Sequence, residues 1–178
     1  MSFREKSILA GILVLCLIVL LPIGYRFIQN EKEAQQSMDE VLVNAFLDLD
    51  ESITEDRAKV KALCTNYNSK EFRTLCMKLP QKYLYKAEII EEIAAYDYSR
   101  YGDYDLPDLF SFFVGLEHKA QQNTLIQEDA KNLLSLFDLW KSCNWDRVTA
   151  ERFSQDLQIK EMIREMNSAI ERYEMLEY

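Results

Sequence analysis

The N-terminal part of the chain contains one long apolar segment. No charged residue occurs in residues 7–25, and residues 8–21 are almost purely aliphatic. At about 1.5 Å of rise per residue, a helix over residues 7–25 is roughly 28 Å long, which is close to the hydrocarbon thickness of a bilayer. We therefore expect a transmembrane helix over residues 7–28, preceded by a short N-terminus of residues 1–6.

The residues after the apolar core favour an uncleaved signal-anchor. A cleaved secretory signal ends in small residues at an A-x-A-like site, whereas this core continues into Pro22, Gly24 and Tyr25. Cys16 lies within the core and follows Leu15, where an acylated lipoprotein cysteine would follow a small residue. The segment is therefore expected to stay attached to the domain that follows it.

Basic residues beside the span predict its orientation. Arg4 and Lys6 precede it, whereas Arg26 and Lys32 follow it. Together with the α-amino group, the first pair gives a mild bias that places the N-terminus in the cytoplasm. Residues 29–178 are then expected outside the cytoplasm, in the periplasm for a bacterial inner membrane. The opposite orientation, with this domain in the cytosol, remains open.

Beyond the anchor, apolar residues recur at helical spacing of three and four. The chain contains only four Gly and three Pro, so it has few places to break a helix. These patterns predict an all-α fold in which the transmembrane helix is followed by an extramembrane antiparallel bundle of four to five helices. The predicted helical segments are residues 29–63, 69–79, 80–102, a segment that starts at Pro107, a segment that starts near Thr124, and 147–177.

Helix boundaries rest on a few polar and proline residues. Ser69 is expected to cap a short helix, and Pro80 to open the next one, because its missing N–H does no harm in a first turn. Thr124 and Gln127 have the spacing of a capping box. Asp56 interrupts the apolar seam of residues 38–63, so that a buried carboxylate there would need a partner such as Lys59, Lys61 or an arginine of another helix.

The apolar seams have two interpretations. The seams of residues 42–63 and 159–173 are typical of the core of the bundle itself. A stalk next to a membrane could equally pair with its own copy, so a homodimer through the stalk is the alternative.

The charge of the predicted domain limits the classes of partner that it can bind. The chain has 21 Lys and Arg, of which Arg4, Lys6 and Arg26 flank the anchor, so 18 basic residues belong to the domain. It has 30 Asp and Glu, of which all but Glu5 lie beyond residue 28, so 29 acidic residues belong to the domain. The difference is a formal charge of −11. Such a domain repels phosphates, so nucleic acid is not expected as a partner, and we expect another protein that is basic or membrane-embedded.

Two cysteines bracket a predicted turn. Cys64 and Cys76 flank residues 65–69, which are turn formers between two helical patterns, so a disulfide between them is a hypothesis that agrees with an oxidising compartment. Cys143 could replace either partner or cross-link a dimer, but we interpret it as an inert buried thiol.

The loop at residues 97–108 combines tyrosines with acids, and it is the leading candidate for a protein-binding surface. Tyrosine supplies a large rigid contact area with a polar tip, and a negative rim would select a basic partner. The alternative is that two or three of these tyrosines pack beneath the loop. The candidate residues are Tyr96, Tyr98, Arg100, Tyr101, Asp103, Tyr104 and Asp105.

Other chemistry has weaker support. The same loop has Asp97 and Asp108 at the first and twelfth positions and Gly102 at the sixth, as in an EF-hand, but Tyr101 stands where an oxygen ligand is usual. His118 is the single histidine, which argues against a histidine-based metal site. No catalytic residue, metal or cofactor is therefore assigned.

Three classes of function follow. The first is a non-enzymatic, membrane-anchored module that binds a protein, either as a subunit of a membrane-associated assembly or as an inhibitor or immunity factor for a basic partner. The second is a sensory module that passes a signal through a partner's membrane helix. The third is an enzyme or calcium-dependent module that uses the loop at residues 97–108.

Overall fold

The computed structural model describes the backbone of residues 3–104, 106–149, 153 and 157–175. Within these ranges, side chains are described from residue 25 onward, except at residues 27, 107, 174 and 175. Every element of regular structure in the described part is a helix, which confirms the all-α class. The chain divides into two compact units, Met1–Met38 and Asp39–Tyr178.

The first unit contains the beginning of helix α1, which runs from Phe3 to Leu63. No helix in the described part is long and apolar enough to cross a bilayer. The membrane span predicted at residues 7–28 lies almost wholly outside the residues whose side chains are described, so it stays a prediction. From Tyr25 to Ser37 the described side chains of α1 are exposed or half-buried, and most of them are polar.

In the described part of the second unit, the rest of α1 is followed by five further helices. Helix α2 packs against α4, and α6 packs against both α4 and α5. Short 3₁₀ turns at Cys64–Asn66, Gly102–Tyr104 and Trp145–Arg147 lie in the connections. The helices are α2 (Lys70–Tyr96), α3 (Tyr98–Tyr101), α4 (Pro107–Gln122), α5 (Gln127–Trp140) and α6 (Leu157–Met175).

An aromatic cluster of the core packs around Phe46 of α1. The ring of Phe46 lies 5.7 Å from Trp140, 5.9 Å from Trp145 and 5.3 Å from Phe153, measured between ring centroids. The seam predicted on α1 is buried within this bundle, so its apolar surface is covered by the chain itself. Its buried members are Leu42, Ala45, Leu49, Ile53 and Val60.

Polar contacts attach α1 to its neighbours as well. Asp56 is only 3 % exposed, and its carboxylate accepts a hydrogen bond from the Tyr83 hydroxyl at 3.0 Å. Lys82 lies 2.9 Å and Lys59 3.4 Å from the same carboxylate. The predicted partner Lys59 is thus confirmed, while Lys82 and Tyr83 come from α2.

Helix α2 begins as predicted but does not break at Pro80. The Ser69 hydroxyl accepts a hydrogen bond from the backbone N–H of Phe72 at 3.1 Å, which confirms the N-cap. The helix then continues through Pro80, so the prediction of two helices was wrong. An interior proline costs about 3 kcal/mol, and the burial of Leu79 and Tyr83 on either side offsets this cost.

The junction between α4 and α5 also differs from the prediction. The backbone N–H of Thr124 donates to the carbonyl of Lys119 at 2.9 Å, so Thr124 closes α4 instead of opening α5. Asn123 takes the left-handed conformation that ends α4, with a φ of 62°. Helix α5 begins at Gln127, where the backbone N–H of Ile126 donates to the Asp129 carboxylate at 2.8 Å. Asp129 therefore replaces the predicted capping box.

The cysteines whose side chains are described are free thiols, so the predicted disulfide between Cys64 and Cys76 is not formed. Cys76 is fully buried on the inner face of α2, and burial raises the pKa of its thiol to about 12. Cys64 is half-buried in the 3₁₀ turn that packs against α5. Cys143 is buried, as expected.

Candidate protein-binding surface

The helix predicted over residues 80–102 ends at Tyr96, and the segment at residues 97–108 that overlaps its predicted end is largely helical as well. Residues 98–101 form α3 and residues 102–104 form a 3₁₀ turn. The Asp97 carboxylate accepts from the Ser99 hydroxyl at 2.6 Å, and Asp103 pairs with Lys160 of α6 at 3.0 Å. In the described part of the chain no group of three or more side chains could hold a metal ion. These acids therefore do not converge as EF-hand ligands would, and Asp105 lies outside the described residues.

Tyr101 and Arg100 point inward and bind the same buried acid of α1. The Tyr101 hydroxyl donates to Asp39 Oδ1 at 2.9 Å, and Arg100 donates to Asp39 Oδ2 at 2.7 Å. Tyr101 is fully buried and Asp39 is 6 % exposed. Burial, and next the hydrogen bond to Asp39, raise the pKa of Tyr101 above its ordinary range. The contact joins α3 to α1 across 62 positions of sequence.

Tyr104 also points inward, toward the aromatic cluster. Its hydroxyl donates to the backbone carbonyl of Phe153 at 2.5 Å, and its ring stacks on Phe153 at 4.7 Å between centroids. The ammonium of Lys160 lies 5.0 Å from the Tyr104 ring centroid while it pairs with Asp103. Of the candidate residues, Arg100, Tyr101, Asp103 and Tyr104 are thus engaged within the bundle.

Tyr96 and Tyr98 point outward. Tyr96 is 78 % and Tyr98 75 % exposed. The ring of Tyr98 lies over Gly102, where an added Cβ would come within 2.7 Å of the ring. Gly102 therefore allows the exposed ring to rest directly on the backbone.

Sequence reasoning missed a third exposed tyrosine of the second unit. Tyr85 on α2 is 71 % exposed, and it precedes Tyr96 by eleven residues, which is close to three helical turns. The signal was present in the sequence, because the buried stripe of Tyr83, Ala87 and Ile90 fixes which face of α2 is turned outward. We call Tyr85, Tyr96 and Tyr98 the tyrosine surface.

The charges of α2 are divided between two faces. Lys82 pairs with Glu55 at 3.0 Å, and Lys86 donates to the Ser52 hydroxyl at 2.7 Å, so both lysines turn toward α1. Glu88 and Glu92 are exposed and make no ion pair among the described residues. The outer face of α2 therefore has acids beside its tyrosines, and the basic side chains Lys82 and Lys86 are used internally.

A groove begins at Gly102, the residue over which the Tyr98 ring lies. It has a volume of about 690 Å³ and runs along α6, with Gly102 and Asp103 at one edge. The charges that line it pair with one another, since Lys160 binds Asp103 and Arg164 binds Glu161 at 3.2 Å. The groove therefore has mixed polarity, and most of its charged groups already have partners.

Comparison with known proteins finds no matching family model, no matching curated protein and no matching solved structure.

Proposed function

We propose that this chain is a non-enzymatic, membrane-anchored module that binds another protein through the tyrosine surface. Residues 7–28 hold it in the membrane with the N-terminus in the cytoplasm, and the helical bundle acts outside the cytoplasm. The partner is a component of a membrane-associated assembly, or an enzyme or toxin that the bundle inhibits. The observation that carries the proposal is the high exposure of Tyr85, Tyr96 and Tyr98.

The exposure of these side chains needs a reason. The bundle packs Tyr83, Tyr101 and Tyr104 almost completely, so it accommodates tyrosine where a core position exists. A large aromatic side chain left in water gains little for folding, whereas tyrosine is enriched at the centres of protein interfaces. Three such side chains on α2 and α3 therefore support a role in recognition.

Capture of the partner tests the binding function. The full-length chain with an affinity tag is cross-linked mildly in its native membranes and purified, in parallel with the triple variant Tyr85→Ala, Tyr96→Ala and Tyr98→Ala. We expect one stoichiometric protein with the unaltered chain and at least tenfold less with the variant. A matched control changes three exposed residues of α5 and α6 instead: Glu128→Ala, Lys131→Ala and Arg164→Ala. Recovery of no stoichiometric partner, or equal recovery with the tyrosine variant, would overturn the proposal.

Extraction tests the anchor separately. We expect the chain to resist carbonate extraction, and a reporter that is active only outside the cytoplasm to work when it is fused after residue 178. The double substitution Leu15→Arg and Leu17→Arg places two charges at the centre of the span, each at about 2.5–3.5 kcal/mol. This variant should become extractable, while Leu15→Val with Leu17→Val should not. A chain that is extractable without any substitution is not membrane-anchored.

A further inference from the structure

We infer that the tyrosine surface receives a basic helix of the partner, which lies along α2 and pairs its lysines or arginines with Glu88 and Glu92. This inference rests on the proposed function and specifies the chemistry of the partner. It begins from a stripe on α2, the tyrosine–glutamate stripe, formed by Tyr85, Glu88, Glu92 and Tyr96 at spacings of three, four and four residues. At 1.5 Å per residue the stripe is about 16 Å long and lies on one side of the helix.

The order of residues along the stripe defines a pattern for the partner. Two acids four residues apart lie between two tyrosines, and all four side chains are exposed. A helix packed alongside α2 would bring basic residues with the same spacing of four next to Glu88 and Glu92. The rings of Tyr85 and Tyr96 would cover the methylene stems of those residues and could interact with their charged ends.

Contacts within the bundle leave the stretch of α2 between Tyr85 and Tyr96 acidic on its outer side. Lys82 is directed to Glu55 and Asp56 on α1, and Lys86 to Ser52 and the carbonyl of Asp48. These lysines are therefore engaged on the inner side of α2. A basic partner supplies the counter-charges for Glu88 and Glu92, which form no ion pair among the described residues.

The same charges disfavour two other occupants. In a symmetric dimer formed through this stripe, Glu88 and Glu92 of one copy would lie close to those of the other, because both copies use the same patch. An anionic membrane surface would be repelled for the same reason. A basic protein helix is the occupant that matches both the tyrosines and the acids.

Site-specific photo-cross-linking tests the inference in the full chain and its native membrane. Benzoylphenylalanine replaces Tyr96, and as a control it replaces Glu128 on α5. We expect a protein adduct at position 96 and none at position 128. We also expect mass spectrometry to place the cross-linked atom in a helical segment with two basic residues four positions apart. An adduct with a second copy of the chain, an adduct with lipid, or a segment without basic residues would overturn the inference.

Charge reversal provides the quantitative test. In the chain that carries benzoylphenylalanine at position 96, the double substitution Glu88→Lys and Glu92→Lys should lower the yield of adduct at least tenfold. The matched control, Asp48→Lys with Glu51→Lys, makes the same change in net charge at exposed positions of α1 and should leave the yield within twofold. When the two basic residues of the identified partner segment are replaced by Glu, the adduct with the Glu88→Lys and Glu92→Lys variant should form again.

The outcomes separate the inference from the proposed function. If no protein adduct forms at position 96 and no partner is captured, the proposed function itself fails. If a partner is captured but the Glu88 and Glu92 reversal leaves the yield unchanged, or both reversals lower it equally, then binding is real and the inference of a charge-paired helix is wrong.

Discussion

Two pairs of tyrosines lie within nine residues of each other and behave differently. Tyr101 and Tyr104 are fully buried, and each donates a hydrogen bond to a group far away in the sequence. Tyr96 and Tyr98 are more than 70 % exposed. The first pair is a part of the core, whereas the second contributes nothing comparable to it. The same residue type is therefore a part of the core at residues 101 and 104 and faces solvent at residues 96 and 98.

The difference shows what a buried tyrosine requires. Its ring needs apolar neighbours and its hydroxyl needs an acceptor, because an unpaired buried hydroxyl costs about 1–3 kcal/mol. Asp39 supplies the acceptor for Tyr101, and the carbonyl of Phe153 supplies it for Tyr104. Exposed tyrosines need neither, since water satisfies the hydroxyl.

The largest decrease in the free energy of unfolding is expected from Tyr104→Ala. Loss of a fully buried aromatic ring costs about 3–5 kcal/mol, and the carbonyl of Phe153 loses its donor as well. The measurement is urea denaturation of the full chain in detergent, followed by the fluorescence of Trp140 and Trp145, which are buried next to Phe46. Tyr98→Ala is the control and should change the free energy of unfolding by less than about 0.5 kcal/mol. If the two variants lost similar amounts of stability, the distinction between the buried and the exposed pair of tyrosines would not hold.

A smaller effect is expected from Asp39→Asn. The amide can still accept a hydrogen bond from Tyr101, but it no longer neutralises the partly buried Arg100, so we expect a loss of about 1–3 kcal/mol. Asp48→Asn is the matched control, because its side chain is exposed on the same helix, and it should be neutral within about 0.5 kcal/mol. If Asp39→Asn changed the free energy of unfolding as little as the control does, Asp39 would not hold α3 in place.

Alkaline pH should weaken the contribution of Tyr101 to the stability of the fold. The pKa of Tyr101 is raised above its ordinary value of 10.0 by burial and by Asp39, so the folded state keeps a proton that the unfolded state releases. The stabilisation from this tyrosine is therefore complete below pH 10 and decreases as the pH rises above it. In urea denaturation at pH 9 to 11, Tyr101→Phe should lose less stability with pH than the unaltered chain.

The control for this titration is Tyr98→Phe, which should retain the pH dependence of the unaltered chain. Tyr83 also has a pKa raised by burial and by Asp56, so part of the alkaline loss should persist in Tyr101→Phe. An unchanged slope in that variant would show that Tyr101 ionises as easily in the folded state as in the unfolded one.

Local patterns in the sequence predicted much of the fold but not the orientation of the tyrosines. The apolar spacing predicted the all-helical class, and Ser69 marked the start of α2 correctly, because both depend on neighbours within a few residues. Tyr101 is buried because Asp39, 62 residues earlier, lies next to it in the fold. No local pattern contains that information. Tyr98 and Tyr101 are only three residues apart, so helical phase alone does not separate them.

The errors at Pro80 and Thr124 have the same origin. Both residues carry strong local signals, for a helix start at Pro80 and for a cap at Thr124. Packing of α2 on both sides of Pro80 overrode the first signal. At the start of α5 the capping hydrogen bond is made by the Asp129 carboxylate, in place of the second. Tyr85 was missed for a different reason, since it lies outside the turn-rich segment that drew attention to the other tyrosines.

The smallest change in stability is expected from Gly102→Ala, which should affect the exposed pair alone. Gly102 has helical backbone angles, with a φ of −57°, so alanine fits the backbone and adds helix propensity of up to about 1 kcal/mol. Its Cβ would lie 2.7 Å from the Tyr98 ring, so the ring must move, at little cost because it is exposed. We expect the free energy of unfolding to change by less than about 1 kcal/mol while the NMR signals of the labelled Tyr98 ring shift. The ring signals of Tyr101 and Tyr104 should stay in place, and capture of the partner should fall if the position of Tyr98 matters for recognition. If the NMR signals of Tyr101 and Tyr104 shifted and those of Tyr98 did not, the buried and exposed tyrosines would be coupled. That result would contradict the division of roles inferred from their burial.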